Sequence, residues 1–320
     1  MSHGIHHITA ISGDPAATVR FYGDTLGLRL VKRTVNFDDP GTWHLYFGER
    51  TGEPGSILTF FPWPNGARGR VGTGQAAVTS FAIPPSALGY WLERLAARGI
   101  AHDALTTRFD ERVIGLRDPD DMLLELVATP RVAQSDGWPA PGGVPEDHAI
   151  RGFHGTTIWS SGESGATEAV LTGTLGFQFA GEETSGPRRR FVSDAATGGI
   201  VDVRRADGFW RGAGGVGTVH HIAFRARDEA AQLAARERLV EAGLQVTPVV
   251  DRQYFQSIYF REPSGVLFEI ATDGPGFLID ESEASLGTDL RLPPWLESER
   301  EQIARILPPL HEAAVVRSPS

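Results

Sequence analysis

Two pairs of adjacent histidines, His6-His7 and His220-His221, and two glutamates, Glu125 and Glu269, are the residues of this sequence best suited to chemistry. Each histidine pair opens a short β-rich stretch, IHHITAI and VHHIAF. Each glutamate stands inside an apolar run, LLELVAT and LFEIAT. A carboxylate there is costly to bury unless it is paired or bound to a metal. Adjacent strand residues face opposite sides of a sheet, so one imidazole of each pair can be a ligand while its neighbour stands behind it. Two imidazoles and one carboxylate on neighbouring strands make a facial triad, which leaves three coordination positions open and suits non-haem Fe(II) oxygenases. The set expected to do this is His7, His221 and Glu269. Cysteine is absent, so thiolate sites and disulfides are excluded and any metal must use imidazole and carboxylate.

The elements that must hold these residues come from an internal repeat. Gly4 to Val31 (GIHHITAISGDPAATVRFYGDTLGLRLV) parallels Gly152 to Ala180, and Val78 to Ile100 parallels Val219 to Leu244. The second and fourth units also end alike, RDPDDMLLELVAT and REPSGVLFEIAT. Each unit reads β-α-β-β-β. Ala87 to Arg98 and Glu229 to Ala242 carry helical spacing and stop at Gly99 and Gly243. Met122 to Val127 and Val266 to Ala271 read as closing strands after a turn. One such unit cannot close a sheet, whereas two can form an open barrel. The expected fold is α+β, with four βαβββ modules in two tandem domains: 1–135 with modules one and two, 148–275 with modules three and four, and a tail over 276–320. Pro130 to Asp147 reads as the linker, Pro294 to Ile306 as a helix in the tail, and the last residues as frayed.

Aligning the units exposes an asymmetry. The histidine pairs of units one and four are replaced by Thr79-Ser80 in unit two and His154-Gly155 in unit three. Glu125 would therefore have Ser80 and Gly155 as partners, which cannot complete a metal site. It is expected to be the relic of a second site, its charge met by an arginine.

The 320-residue chain has a formal net charge of -10 and no basic run, which argues against nucleic acid as a partner. The N-terminus lacks the apolar core of a signal peptide, and no run approaches the ~18 apolar residues of a membrane span. The expectation is a cytoplasmic protein that needs no membrane; homo-oligomerisation is left open.

The whole chain resembles the vicinal-oxygen-chelate superfamily (glyoxalases, bleomycin-resistance proteins and extradiol dioxygenases), and within it the hydroquinone-type ring-cleaving dioxygenases. Ile258 to Glu269 (IYFREPSGVLFE) carries the most specific part: Tyr259, Glu262, Pro263, Gly265 and Glu269 fill the extradiol signature. Catechol-cleaving members place a histidine shortly before the tyrosine, and this chain has Arg252 there. That departure, with His7 present and Gly155 in the third unit, matches the hydroquinone branch. The resemblance implies an Fe(II) enzyme, with Mn(II) as an alternative, that opens a small aromatic diphenol with O2. It implies catalytic or substrate-contacting roles for His6, Thr9, His220, Arg252 and Tyr259, with His6 or His220 carrying a proton. The structural alternatives are strand positions for Thr9 and Tyr259 and a surface ion pair for Arg252. Other functions to weigh are a catechol extradiol dioxygenase, a glyoxalase-like isomerase and a non-enzymatic small-molecule binder. The isomerase would need a fourth protein ligand from Ile57 to Phe61 (ILTFF), which offers none.

Overall fold

The computed structural model describes residues 4–161, 165–183 and 186–310, so the frayed end expected at the C-terminus lies outside the described residues. Module one is β1 (Ile5–Ser12), α1 (Pro15–Val19), β2 (Arg29–Asn36), β3 (Asp39–Gly48) and β4 (Ile57–Pro62). Module two is β5 (Gln75–Ile83), α2 (Leu88–Ala97), β6 (Thr106–Arg108), β7 (Glu111–Arg117) and β8 (Leu123–Ala128). Module three is β9 (Phe153–Ser160), α3 (Gly165–Ala169), β10 (Gln178–Glu182), β11 (Arg188–Val192) and β12 (Ile200–Arg205). Module four is β13 (Thr218–Ala226), α4 (Glu229–Glu241), β14 (Val250–Asp251), β15 (Phe255–Arg261) and β16 (Leu267–Pro275). Asp14 and Asp228 cap α1 and α4 by accepting from Ala16 N and Ala231 N. After α2 and α4 the chain turns at Gly99 and Gly243, both at positive φ, as the sequence requires.

The four modules form two eight-stranded sheets, β14-β15-β16-β13-β1-β4-β3-β2 and β10-β11-β12-β9-β5-β8-β7-β6. The first joins modules one and four, and the second joins modules two and three. The sheets therefore do not follow the consecutive division at 1–135 and 148–275. The reason lies in the module itself. Its strand order leaves the opening strand as a free edge, and that edge must pair with the opening strand of another module. The sequence does not say which. Here β1 pairs antiparallel with β13, and β5 with β9.

Consecutive modules instead meet through their helices. Tyr22, beyond α1, donates to Asp118 Oδ2 of module two at 2.9 Å. Arg94 of α2 bonds the carbonyls of Asp24, Thr25 and Gly142. One apolar core runs through all four modules. The segment expected as a linker is packed: Trp138 and Val144 are buried, and the Trp138 indole donates to Ile150 O.

The tail straps the outer strands of module one. A short 3-10 turn (Pro294–Glu299) leads into α5 (Arg300–Ile306). Fully buried Lys32 on β2 pairs with Asp280 and Glu281, and the Trp43 indole of β3 donates to Pro308 O at 2.7 Å. Phe37, at the β2–β3 tip, packs edge-on against Trp295. These contacts fix the hairpin that walls the site described next.

Candidate metal centre and substrate cavity

Three of the expected residues converge. His7 on β1, His221 on β13 and Glu269 on β16 are all buried, and they form a group of potential metal ligands. His221 Nε2 lies 2.9 Å from Glu269 Oε2, His7 Nε2 lies 3.4 Å from that oxygen, and the two Nε2 atoms are 3.3 Å apart. Ligand atoms at right angles around one ion, each ~2.1 Å from it, would be about 3 Å apart. The three atoms thus have the mutual spacing of one face of a coordination shell. Glu269 Oε2 is buried and accepts no well-directed hydrogen bond, while the Ser257 hydroxyl donates to Oε1. One carboxylate oxygen is held and the other is left for a ligand, so the donor set fits a metal.

Each candidate ligand is backed by the histidine before it. His6 Nδ1 and His7 Nδ1 are 2.9 Å apart, and His220 Nδ1 and His221 Nδ1 are 2.8 Å apart. An imidazole that offers Nε2 to a metal keeps its proton on Nδ1. His7 and His221 then donate, and His6 and His220 accept. Burial and the neighbouring His7 hold the His6 pKa well below its ordinary value. Burial of its inner edge and the neighbouring His221 bring His220 down to about 3. Both rings are therefore neutral near neutral pH. As a neutral ring accepting at Nδ1, His220 presents an N–H at Nε2.

A cavity of about 290 Å³ opens beside the triad, near the small end of ligand sites and suited to one substituted ring. His220, Arg252 and Tyr259 line it, as the sequence led us to expect. Arg252 Nε donates to the Tyr259 hydroxyl at 3.0 Å, and Arg252 Nη1 reaches Asp38 at 3.0 Å. Because its oxygen accepts from Arg252, Tyr259 keeps its own proton for donation. Burial raises the Tyr259 pKa, so the phenol stays protonated.

The other two expected residues stand outside the cavity. His6 lines a separate recess with Tyr254 and Phe277. Thr9 is fully buried and accepts from Thr59 Oγ1 at 2.9 Å.

That bond leads to residues the sequence reading missed. His44 Nε2 is 2.8 Å from Thr59 Oγ1, and the Tyr46 hydroxyl is 2.9 Å from His44 Nδ1. With Thr59 donating to Thr9, the chain runs in one direction: Tyr46 to His44, His44 to Thr59, Thr59 to Thr9. His44 and Tyr46 both line the cavity. Burial, with His7 next in importance, pushes the His44 pKa well down, so it too is neutral. Two polar rings spaced i, i+2 on a strand face the same way, which was the available signal. Thr59 also occupies, on β4, the position that Glu269 occupies on β16. A fourth protein ligand from module one would come from there, and none does.

The second sheet repeats this ladder with other side chains. Matched strand by strand, Gly155 stands for His7, Val78 for His221 and Glu125 for Glu269, while Ser80, which the sequence alignment set against His221, stands for Ala223. Arg188 stands for His44, Arg190 for Tyr46, Asp202 for Thr59, Gly115 for Tyr259 and Arg108 for Arg252. Arg108 forms a two-pronged pair with Glu125, at 2.9 Å to Oε1 and 2.5 Å to Oε2, and the Ser80 hydroxyl donates to Oε2 at 2.7 Å. The arginine partner expected for Glu125 is therefore present. A Cβ on Gly155 would collide with the Ile200 carbonyl, so no side chain fits there without backbone movement.

Residues 4–126 and 153–270 match the model of the Glyoxalase/Bleomycin resistance protein/Dioxygenase superfamily. The chain belongs to this superfamily. The provisionally named ring-cleaving dioxygenase MhqE of Bacillus subtilis is 44% identical over 309 residues, covering 97% of this chain and 99% of the relative. The chlorohydroquinone/hydroquinone 1,2-dioxygenase of Sphingobium indicum is 33% identical over 313 residues, covering 95% of each chain. A crystal structure of a provisionally named Bacillus subtilis dioxygenase superposes with a TM-score of 0.91 at 43% identity, covering 98% of this chain and 99% of that one.

Proposed function

We propose that this protein is an Fe(II)-dependent dioxygenase that opens the ring of a hydroquinone-type diphenol beside one hydroxyl. The observation that carries the proposal is the three-ligand cluster of His7, His221 and Glu269 at the floor of a ring-sized cavity. The names of the full-length relatives support it. O2 supplies both inserted oxygen atoms and the ring supplies the electrons, so no further reductant is needed. Fe(II) on this triad would supply Lewis acidity and redox chemistry toward O2 through three open positions; Mn(II) accepts the same ligands.

The chain's own residues supply the rest. A hydroquinone has its second hydroxyl across the ring and cannot chelate through both oxygens, so protein groups must orient it. Tyr259, steadied by Arg252, donates a hydrogen bond to oxygen at the reacting edge, and the Arg252 cation stabilises negative charge there. The His220 N–H faces the same space from the other side. His44, held between Tyr46 and Thr59, gives the wall a fixed polar edge, and Thr9 acts through Thr59 as a positioning residue. His6 fixes the tautomer of His7 from behind and does not touch substrate.

The test is anaerobic loading with Fe(II), then oxygen uptake against matched hydroquinones and catechols. The expected result is kcat/KM for hydroquinones at least ~10-fold above catechols, about 1.4 kcal/mol of transition-state stabilisation. A preference for catechols would overturn the substrate class while leaving the metal site standing. No oxygen uptake with either class would overturn the reaction.

A further inference from the structure

The second sheet keeps a cavity where the first has its substrate site. It holds about 250 Å³ and is lined by Gly115, Leu123 and Glu125, the positional counterparts of Tyr259, Leu267 and Glu269. It has lost the imidazoles and cannot recover them at Gly155. We propose that it is a second small-molecule site, one that binds a small carboxylate with an apolar body.

Two groups facing this cavity ask for an acceptor. Arg204, the counterpart of Phe61, lies with its guanidinium 5.2 Å from the Trp159 ring centre, and no carboxylate among the described residues pairs with it. Trp159 Nε1 is buried with no hydrogen-bond partner. An indole N–H and a guanidinium are donor-only, so neither is satisfied by a cation or by another donor. A buried donor left unpaired costs about 1–3 kcal/mol, which an acceptor in the cavity would remove. A carboxylate matches the planar fork of an arginine better than a spherical anion does.

The remaining lining fits this ligand. Val78, Leu116 and Leu124 give it an apolar wall. Arg117 and Arg188 add positive charge, although Arg188 is already paired with Asp202 and Glu183. Of the two lining carboxylates, Glu125 is neutralised by Arg108, and Asp103 is exposed with its carboxylate lying against Gly115. With Glu125 neutralised, Arg117, Arg188 and Arg204 outweigh Asp103 in the lining, so the cavity favours an anion beside Arg204, away from Asp103.

The test uses 4-bromobenzoate with the full-length, iron-loaded protein. Calorimetric titration should show saturable binding, weakened about 10-fold or more by Arg204→Ala, or ~1.4 kcal/mol. Trp159→Phe keeps the ring, removes the N–H and should weaken binding several-fold. In soaked crystals the bromine anomalous peak should lie beside Arg204 and Trp159. No saturable binding up to about 10 mM, affinity unchanged by Arg204→Ala, or a bromine peak only beside His7 and His221 would each overturn the proposal.

Discussion

At matching positions in the two sheets, a glutamate stands in an apolar strand, fully buried at Glu269 and largely buried at Glu125, and its charge is met in different ways. In the first sheet Glu269 faces two imidazoles, each backed by a second histidine, with one oxygen left for a ligand. In the second sheet Glu125 faces Ser80 and Arg108, and both oxygens are used. The position that supplies Arg252 at the edge of the first cavity supplies Arg108 in the second, where it reaches in and pairs with Glu125. A carboxylate at this depth needs a positive partner. The lesson is that one backbone can carry either a cluster with the spacing for an exchangeable ion or a tethered guanidinium, which can only hold the fold.

This contrast can be broken at either end. The largest effect should come from removing an imidazole ligand. His221→Ala should lower kcat/KM by at least about a thousandfold, roughly 4 kcal/mol, with the far-ultraviolet circular dichroism unchanged. Ser80→Ala, which removes a hydroxyl partner of Glu125 in the second sheet, should leave turnover within a factor of ~2. Comparable losses would show that the second sheet takes part in the reaction.

Next comes the tethered partner. Arg108→Ala leaves Glu125 buried and uncompensated, which should cost about 3 kcal/mol in denaturant unfolding. Adding Glu125→Gln should recover much of that, because the lone charge is gone. A single variant as stable as the parent would contradict the account of the second sheet.

A smaller effect is expected at the cavity edge. Arg252→Ala should lower kcat by about 10- to 100-fold, or ~1.4–2.7 kcal/mol, with iron content per folded chain retained. Loss of iron in step with activity would make Arg252 a structural support instead.

The smallest effect is a pH dependence in the second sheet. Burial pushes the Glu111 carboxyl up, but hydrogen bonds from His154 and Arg190 override it and hold the pKa at about 2. A carboxyl lowered on folding adds stability above its unfolded pKa of about 4.3 and loses it as pH falls through 2. Glu111→Gln should therefore flatten the stability profile between those values and leave its slope near neutrality alone. A profile identical to the parent's would rule this out.

The triad was legible because repetition made it so: two His-His pairs at equivalent places cannot be read as two unrelated core histidines. That an arginine would meet the Glu125 charge was legible in the same way. His44 and Ser257 were not, because nothing at their repeat counterparts marks them; His44 is matched by Arg188, which serves a different network. The exchange of modules between sheets was hidden because every opening strand has the same free edge. The strap of the tail was hidden because its anchor, Lys32, is a lysine in an alternating strand and reads as solvent-facing until Asp280 and Glu281 fold over it.

The central claim is that one sheet holds a metal and its twin cannot. An anomalous difference map at the iron edge, from crystals of protein loaded anaerobically with Fe(II), tests it directly. One peak should appear per chain, about 2.0–2.3 Å from His7 Nε2, His221 Nε2 and a Glu269 oxygen, with none beside Glu125. A peak at Glu125, or an iron-loaded protein whose metal lies away from the His7–His221–Glu269 cluster, would contradict the account.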